Sequence, residues 1–307
     1  MANPCLSADT SGQEERPRES QMLDIIDIHT HVVSPDTQRF PLKPLGGTQS
    51  AWSSERPTTG AMLIAEMDKA GVSKSAVVQA ATAYSFDNSY LADQVAAYPD
   101  RFTGVFTIDM QAPDAADAFR RWTKAGLTGM RLFTTGSTSP GQAGWLADPA
   151  TFPIWEMAEE ANIPVCLQMR PEGEAFLRVL LGRFKKVPIV LDHLARVSLA
   201  GGPPYDSAKW LFDLADHPNL YLKLTSRTVE ESAEKGSTPE GFFPRVVAAF
   251  GADRIAWGSN FPAHHGSMSV LVDAAKAALA CLGEADRTAI FAGTARRLYP
   301  ALAGKAG

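Results

Sequence analysis

The stretch "DIIDIHTHVV", residues 24–33, begins as a short apolar run and ends in two histidines one residue apart. Its nearly continuous branched aliphatic character is what a strand buried on both faces needs, and such strands belong to parallel sheets. A side-chain period of two puts His29 and His31 on one face. Asp27, two residues earlier, falls on the same face one layer deeper, where it supports the histidines.

Seven similar runs follow: "SKSAVVQAA", "FTGVFTI", "LTGMRLF", "IPVCLQM", "VPIVLD", "NLYLKLT" and "RIAWGSN". Between them lie segments with helical periodicity, such as "AMLIAEMDKAG", "DAADAFRRWTKAG" and "FPIWEMAEEAN". Several end in Gly or Asn, which readily take the left-handed conformation that closes a helix. "TPEGFFPRVVAAFG" opens on Thr-Pro, a cap followed by a first helical residue. Strict alternation of strand and helix implies an α/β fold with parallel strands, and eight of them close into a (β/α)8 TIM barrel. No GxGxxG follows the first strand, which counts against an open doubly wound sheet. The expected organisation is a disordered N-terminal extension (1–22), one catalytic barrel (23–300) and a short tail (301–307). The loop "SPDTQRFPLKPLGGTQSAWSSERP" (34–57), rich in Pro, Gly and Ser, follows strand one and would lie over the catalytic mouth as a lid.

A chain of 307 residues buries enough surface to fold without disulfides or a structural metal. Its 29 basic and 34 acidic residues give a net charge of −5, and no Lys/Arg-rich run marks a nucleic-acid or membrane partner. The polar N-terminus has no apolar core of a signal peptide, and no segment is apolar enough to cross a bilayer. Cys5, Cys166 and Cys281 have no CxxC spacing, and Cys166 in "IPVCLQ" reads as a small buried hydrophobe. These features predict a cytoplasmic enzyme, and assembly into a homo-oligomer is compatible with them.

In such a barrel the chemistry belongs at the C-terminal ends of the strands. There the sequence places His29 and His31 (strand one), Gln79 (two), Arg131 (four), Gln168 (five), Asp192 and His193 (six), Lys223 (seven) and Asn260 (eight). Arg196 and Arg227 follow strands six and seven, and His264 lies in the loop after strand eight. A single arginine at such a position is as readily a salt bridge to a helix. Arg131, Arg196 and Arg227 together instead suggest a carboxylate site, because guanidinium matches carboxylate geometry. The expected partner is a small anion, with Gln79, Gln168 and His264 as further substrate contacts.

"DIHTHV", "VLDHLAR" and "WGSNFP", in this order, resemble the amidohydrolase superfamily (its amidohydrolase-2 family). They look closest to its metal-independent branch of 2-pyrone-4,6-dicarboxylate lactonase-like and sugar-lactone hydrolases. The resemblance runs from about residue 24 to residue 300 and includes "FPLKP", "VVQAA" with "FDN", and "GMRLF". It implies that His29, His31 and His193 polarise a lactone carbonyl. It also implies that Arg131, Arg196 and Arg227 hold substrate carboxylates, and that Asn260 stands where an aspartate activates water.

Metal-binding branches of that superfamily use a carboxylated lysine on strand four or a further ligand on strand five; here Arg131 and Gln168 stand there. A zinc or manganese ion would have only His29, His31 and His193, so no cofactor is favoured. The expected reaction is lactone hydrolysis, with imidazole N–H groups stabilising the oxyanion. Asn260 cannot take a proton, which leaves neutral His193 or His31 as the base. The alternatives are a metal-dependent decarboxylase or amide hydrolase of the same superfamily, and a ligand-binding barrel that has lost catalysis. An engineered Asp-to-Asn change at position 260 is another origin for that asparagine.

Overall fold

A computed structural model describes Met1 and residues 23–136 and 141–303. The expected extension beyond Met1, and residues 304–307 of the expected tail, lie outside the described residues. The eight apolar runs form the strands β1 (Ile25–Thr30), β2 (Val72–Val78), β3 (Phe102–Phe106), β4 (Gly129–Phe133), β5 (Val165–Gln168), β6 (Ile189–Asp192), β7 (Leu220–Thr225) and β8 (Ile255–Gly258). They form one sheet in sequence order, every pair parallel. The ring closes just past β8, where Thr30 bridges to Phe261 and the His31 amide donates to the Phe261 carbonyl at 2.9 Å. The fold is the expected (β/α)8 barrel.

Helices join successive strands and stop where the chain chemistry stops them. Helix Gly60–Ala70 is capped by Thr59, whose hydroxyl accepts the Met62 amide, and ends on Gly71 at φ 71°. Helix Pro239–Phe250 begins on the Thr238 cap with Pro at its first position. Their apolar faces and the outward faces of the strands make one buried core. A second, smaller cluster fills the barrel itself, including Ile26, Ile28, Val78, Val105, Cys166 and Val190, with Leu298, Tyr299 and Leu302 packed against it. Leu302 is thus part of the packed body, so the barrel extends into residues the sequence assigns to the tail.

The first strand departs from strict alternation. Its pairing with β2 shifts register between Asp27 and Thr30, and Ile26 and Ile28 both join the interior cluster. The simple count that stacks Asp27 beneath the histidines is therefore interrupted by a bulge-like irregularity, which re-aims side chains. Asp27 supports the site through the backbone instead: its Oδ1 accepts the amides of His29 (2.8 Å) and Ser259 (2.9 Å). One carboxylate oxygen so ties β1 to the end of β8. Burial pushes this carboxyl up to about 6, although its hydrogen bonds with Ser259 and His29 pull the other way.

Close approach of β1 and β8 also explains Gly258. A Cβ there would lie 2.6 Å from the Cβ of His29 and 2.9 Å from its backbone nitrogen. Gly258→Ala is expected to destabilise the barrel by about 1–3 kcal/mol, the usual cost of overpacking. The shift in denaturation midpoint measures it, and an unchanged midpoint would mean that β1 and β8 can part at no cost.

Candidate active site

At the C-terminal end of the barrel a buried ion cluster comes first. Asp192, the last residue of β6, accepts Arg131 Nε at 2.5 Å and faces Lys223 Nζ at 2.8 Å. Asp192 and Lys223 are register partners on adjacent strands. Lys223 is fully buried, and its ammonium also lies 3.3 Å from the Cys166 thiol. Burial alone would raise the Asp192 carboxyl, but Arg131 and then Lys223 hold it well below the ordinary carboxylate range.

Three imidazoles sit beside this cluster. The His29 ring centroid is 5.0 Å from that of His31 and 4.9 Å from that of His193. His31 Nδ1 donates to the Val78 carbonyl at 2.9 Å, which fixes the tautomer and leaves Nε2 as an acceptor. His193 Nδ1 lies 2.8 Å from the Thr225 hydroxyl. His29 is fully buried with neither ring nitrogen hydrogen-bonded, and its Nδ1 is 4.0 Å from Asp192. Burial pushes His31 and His193 down to about 3; Arg131 adds to this, while Asp192 opposes it at His193. His29 is pushed well down by burial and then by Lys223 and Arg131. All three rings are neutral at neutral pH. Desolvation, reinforced by adjacent cations, makes these rings weak bases in the free protein.

His193–Arg196 forms a tight turn of the unusual hand. Its four residues have φ of 53°, 48°, 52° and 55°, all left-handed and none glycine. That conformation costs roughly 1–2 kcal/mol per residue. Leu194 and Ala195 are fully buried, and this burial offsets the cost. A turn of three residues brings side chains i and i+3 into line. His193 and Arg196 accordingly both line the same cavity, of about 250 Å³. With them stand His31, Gln79, Arg131, Gln168 and Asn260, so seven of the sequence-picked residues meet in one pocket.

Three others do not. His29 lies beneath the cavity wall, packed against the two rings that line it. Arg227 is half exposed and pairs with Glu231 one helical turn away at 2.8 Å. His264 Nε2 lies 2.8 Å from Glu230. Neither is among the cavity's lining residues: Arg227 faces Glu231 and His264 faces Glu230. Sequence reading also passed over several lining residues. Ser50 and Trp52 come from the loop 34–57, and Trp52 packs on His31 at 5.1 Å. The same loop is strapped across the mouth by Arg56, which donates to the carbonyls of His264 (3.0 Å) and Ala263 (3.4 Å). Nothing in a Pro/Gly/Ser-rich loop singles out Trp52. Lys223 did carry a signal: a charge inside the apolar strand "NLYLKLT" demands a buried partner.

The donor set can be tested against a divalent ion. His193 has one ring nitrogen not held by Thr225 and His29 has two without partners, whereas His31 is hydrogen-bonded by Val78 and by the Asn260 side chain; among the described residues no anionic ligand accompanies them. Asp192 is already neutralised by Arg131 and Lys223, and the ends of β5 and β8 offer the neutral amides of Gln168 and Asn260. Two fixed cations would repel a third. Among the described residues no group of three or more His, Cys, Asp and Glu is placed to hold a metal ion, and no helix is long and apolar enough to cross a membrane.

Comparison with known proteins gives consistent relatives. Residues 26–301 match the family model described as Amidohydrolase. The chain is 26% identical over 199 residues to an L-fucono-1,5-lactonase of Burkholderia ambifaria, covering 63% of this chain and 66% of that protein. It thus spans just under two thirds of that relative's length. Among solved structures, a protein from Pseudomonas putida provisionally described as a 2-pyrone-4,6-dicarboxylic acid hydrolase has a TM-score of 0.72 at 22% identity, covering 91% of this chain and 98% of that one. A zinc-bound amidohydrolase from Burkholderia multivorans also reaches 0.72, at 19% identity and with 90% and 99% covered. At such identities these structures establish the shared fold alone.

Two outcomes follow from the charges. Asp192→Asn leaves two buried cations without their anion and is expected to cost about 3–5 kcal/mol of stability, read from chemical denaturation. A loss no larger than that of a surface substitution would show the cluster to be water-compensated. Second, unfolded histidines take up protons near 6.5 while His31 and His193 resist down to about 3. Their folded values are depressed, so their contribution is present above about pH 6.5 and is lost as pH falls towards 3. Ring NMR shifts should remain those of neutral imidazole at about pH 5; protonation there would contradict the assignment.

Proposed function

This chain belongs to the amidohydrolase family, and on that premise we propose that it is a lactonase opening a small carboxylated lactone by attack of water, without a catalytic metal. One observation carries the reading: two guanidiniums, Arg131 and Arg196, face a cavity whose lining, among the described residues, contains no carboxylate. Arg131 is balanced by Asp192, whereas Arg196 Nε is buried without a hydrogen-bond partner. Such a pocket attracts an anion, and a substrate carboxylate supplies the missing acceptors.

The remaining lining residues suit hydrolysis of an ester in the ring held there. His193 can present Nε2–H to the lactone carbonyl when the Thr225 hydroxyl donates to its Nδ1, and so stabilises the oxyanion. His31 has its N–H occupied by Val78 and presents a lone pair at Nε2, which assigns it the base in place of a carbonyl contact. Asn260 orients the water. Burial is the larger cause of the His31 depression and persists; the bound carboxylate offsets the added push of Arg131, which makes the ring a better base once substrate is in place. The water oxygen bonds to the carbonyl carbon as its proton moves to His31 Nε2. The tetrahedral species collapses with rupture of the ring C–O bond, and the departing alkoxide takes that proton back. The product is a hydroxy acid.

Carboxylated γ- and δ-lactones incubated with the protein and a chelator are expected to release acid as fast as without chelator. Loss of turnover restored by zinc or manganese would overturn the metal-free reading. Arg196→Gln is expected to raise KM by about 10–100-fold, the size of a lost charge-assisted hydrogen bond. His31→Asn should lower kcat by about 10²–10⁴-fold. Asn260→Asp is expected to give no tenfold gain; a larger gain would make position 260 a vacated base and displace His31 from the role.

A further inference from the structure

A second cavity of about 130 Å³ opens at the same end of the barrel. Leu45 of the lid, Phe86 after β2, Ile108 and Met110 after β3, and Trp145 after β4 form its walls. Phe133, the last residue of β4, lines both this cavity and the anion pocket. The Arg131 guanidinium lies 4.4 Å from the Phe133 ring centroid, so the ring is a wall common to both cavities with the anion-binding group stacked on it. Leu45 is fixed beside it by its amide, which donates to the carbonyl of the pocket-lining Ala81 at 2.8 Å. Among the described residues the one charged residue lining the second cavity is Asp109, an exposed carboxylate.

We infer that this cavity is a subsite for a short, uncharged hydrocarbon arm on the substrate whose carboxylate lies at Arg131 and Arg196. The inference rests on the lactonase reading and narrows its substrate class to lactone acids bearing an alkyl or aryl substituent. Asp109 apart, the lining side chains are apolar and give the hydroxyls of a sugar-like arm few side-chain partners, and unpaired hydroxyls are costly to bury. A second carboxylate on the arm would meet Asp109 with no cation opposite. Each methylene moved from water into such walls tightens binding about fourfold. At roughly 30 Å³ per water-sized group, the cavity holds an arm of about four carbon atoms.

The test is a series of γ-lactone carboxylates with hydrogen, methyl, propyl, pentyl and carboxypropyl arms, together with their ring-opened hydroxy acids. Hydrolysis of the lactones reports on the lactonase reading; calorimetric binding of the hydroxy acids reports on the subsite without any turnover. Affinity is expected to rise about fourfold per methylene, level off beyond about four carbons, and fall at least tenfold for the carboxypropyl arm relative to propyl. Ile108→Phe, which fills the cavity, should flatten the series; if it does not fold, Met110→Ala should move the plateau to longer arms. Hydrolysis with an affinity that is flat along the series overturns the subsite and leaves the lactonase reading standing. A rising series without hydrolysis supports the subsite and overturns lactone opening.

Discussion

Everything at the mouth of this barrel is organised around one carboxylate. Asp192 holds Arg131 by one oxygen and Lys223 by the other, in a part of the molecule that water does not reach. A buried ion cluster contributes little net stability, because desolvation consumes most of the Coulomb gain. Its contribution here is to position: it fixes the Arg131 guanidinium against Phe133 and towards the pocket. It also sets the charge balance, since one anion serves two cations and Arg196 is left over. The surplus positive charge is what the proposed substrate carboxylate would neutralise.

At the imidazoles burial dominates in disfavouring a charged ring, and the same cations reinforce it. Three histidines, two of them about 5 Å from the central His29, thus stay neutral and do not repel. Neutral rings can divide roles by tautomer, and the backbone makes that division. The Val78 carbonyl assigns a lone pair to the pocket side of His31, while His193 answers to a hydroxyl that can donate or accept. A free site that is a poor base and an occupied site that is a better one would couple proton transfer to binding.

The barrel was legible in the sequence because each buried strand is a short apolar run and several helices carry their own start or stop residues, as Thr59 and Gly71 do for one of them. The pocket residues were legible by position: Arg131 lies within β4, and His31 and Asn260 follow β1 and β8 within two residues. What could not be read is what depends on departures from a strand's period of two. The register shift in β1 turned Asp27 into a backbone clamp between strands. Arg227, taken for a substrate contact, met Glu231 on its own helix because four residues is one helical turn. Trp52 reaches the pocket by the path of a loop, which no periodicity describes.

The left-handed turn at His193–Arg196 has an evolutionary consequence. Glycine at Leu194 or Ala195 would adopt that backbone without steric cost, yet it would remove the buried side chains that hold the turn in one shape. Selection for a sturdier fold and selection for a sharper pocket thus pull against each other at two adjacent positions, a local form of the trade between stability and activity. Lineages of this barrel that relax their demand on the pocket should be free to drift towards glycine there, while those that keep it retain an awkward backbone.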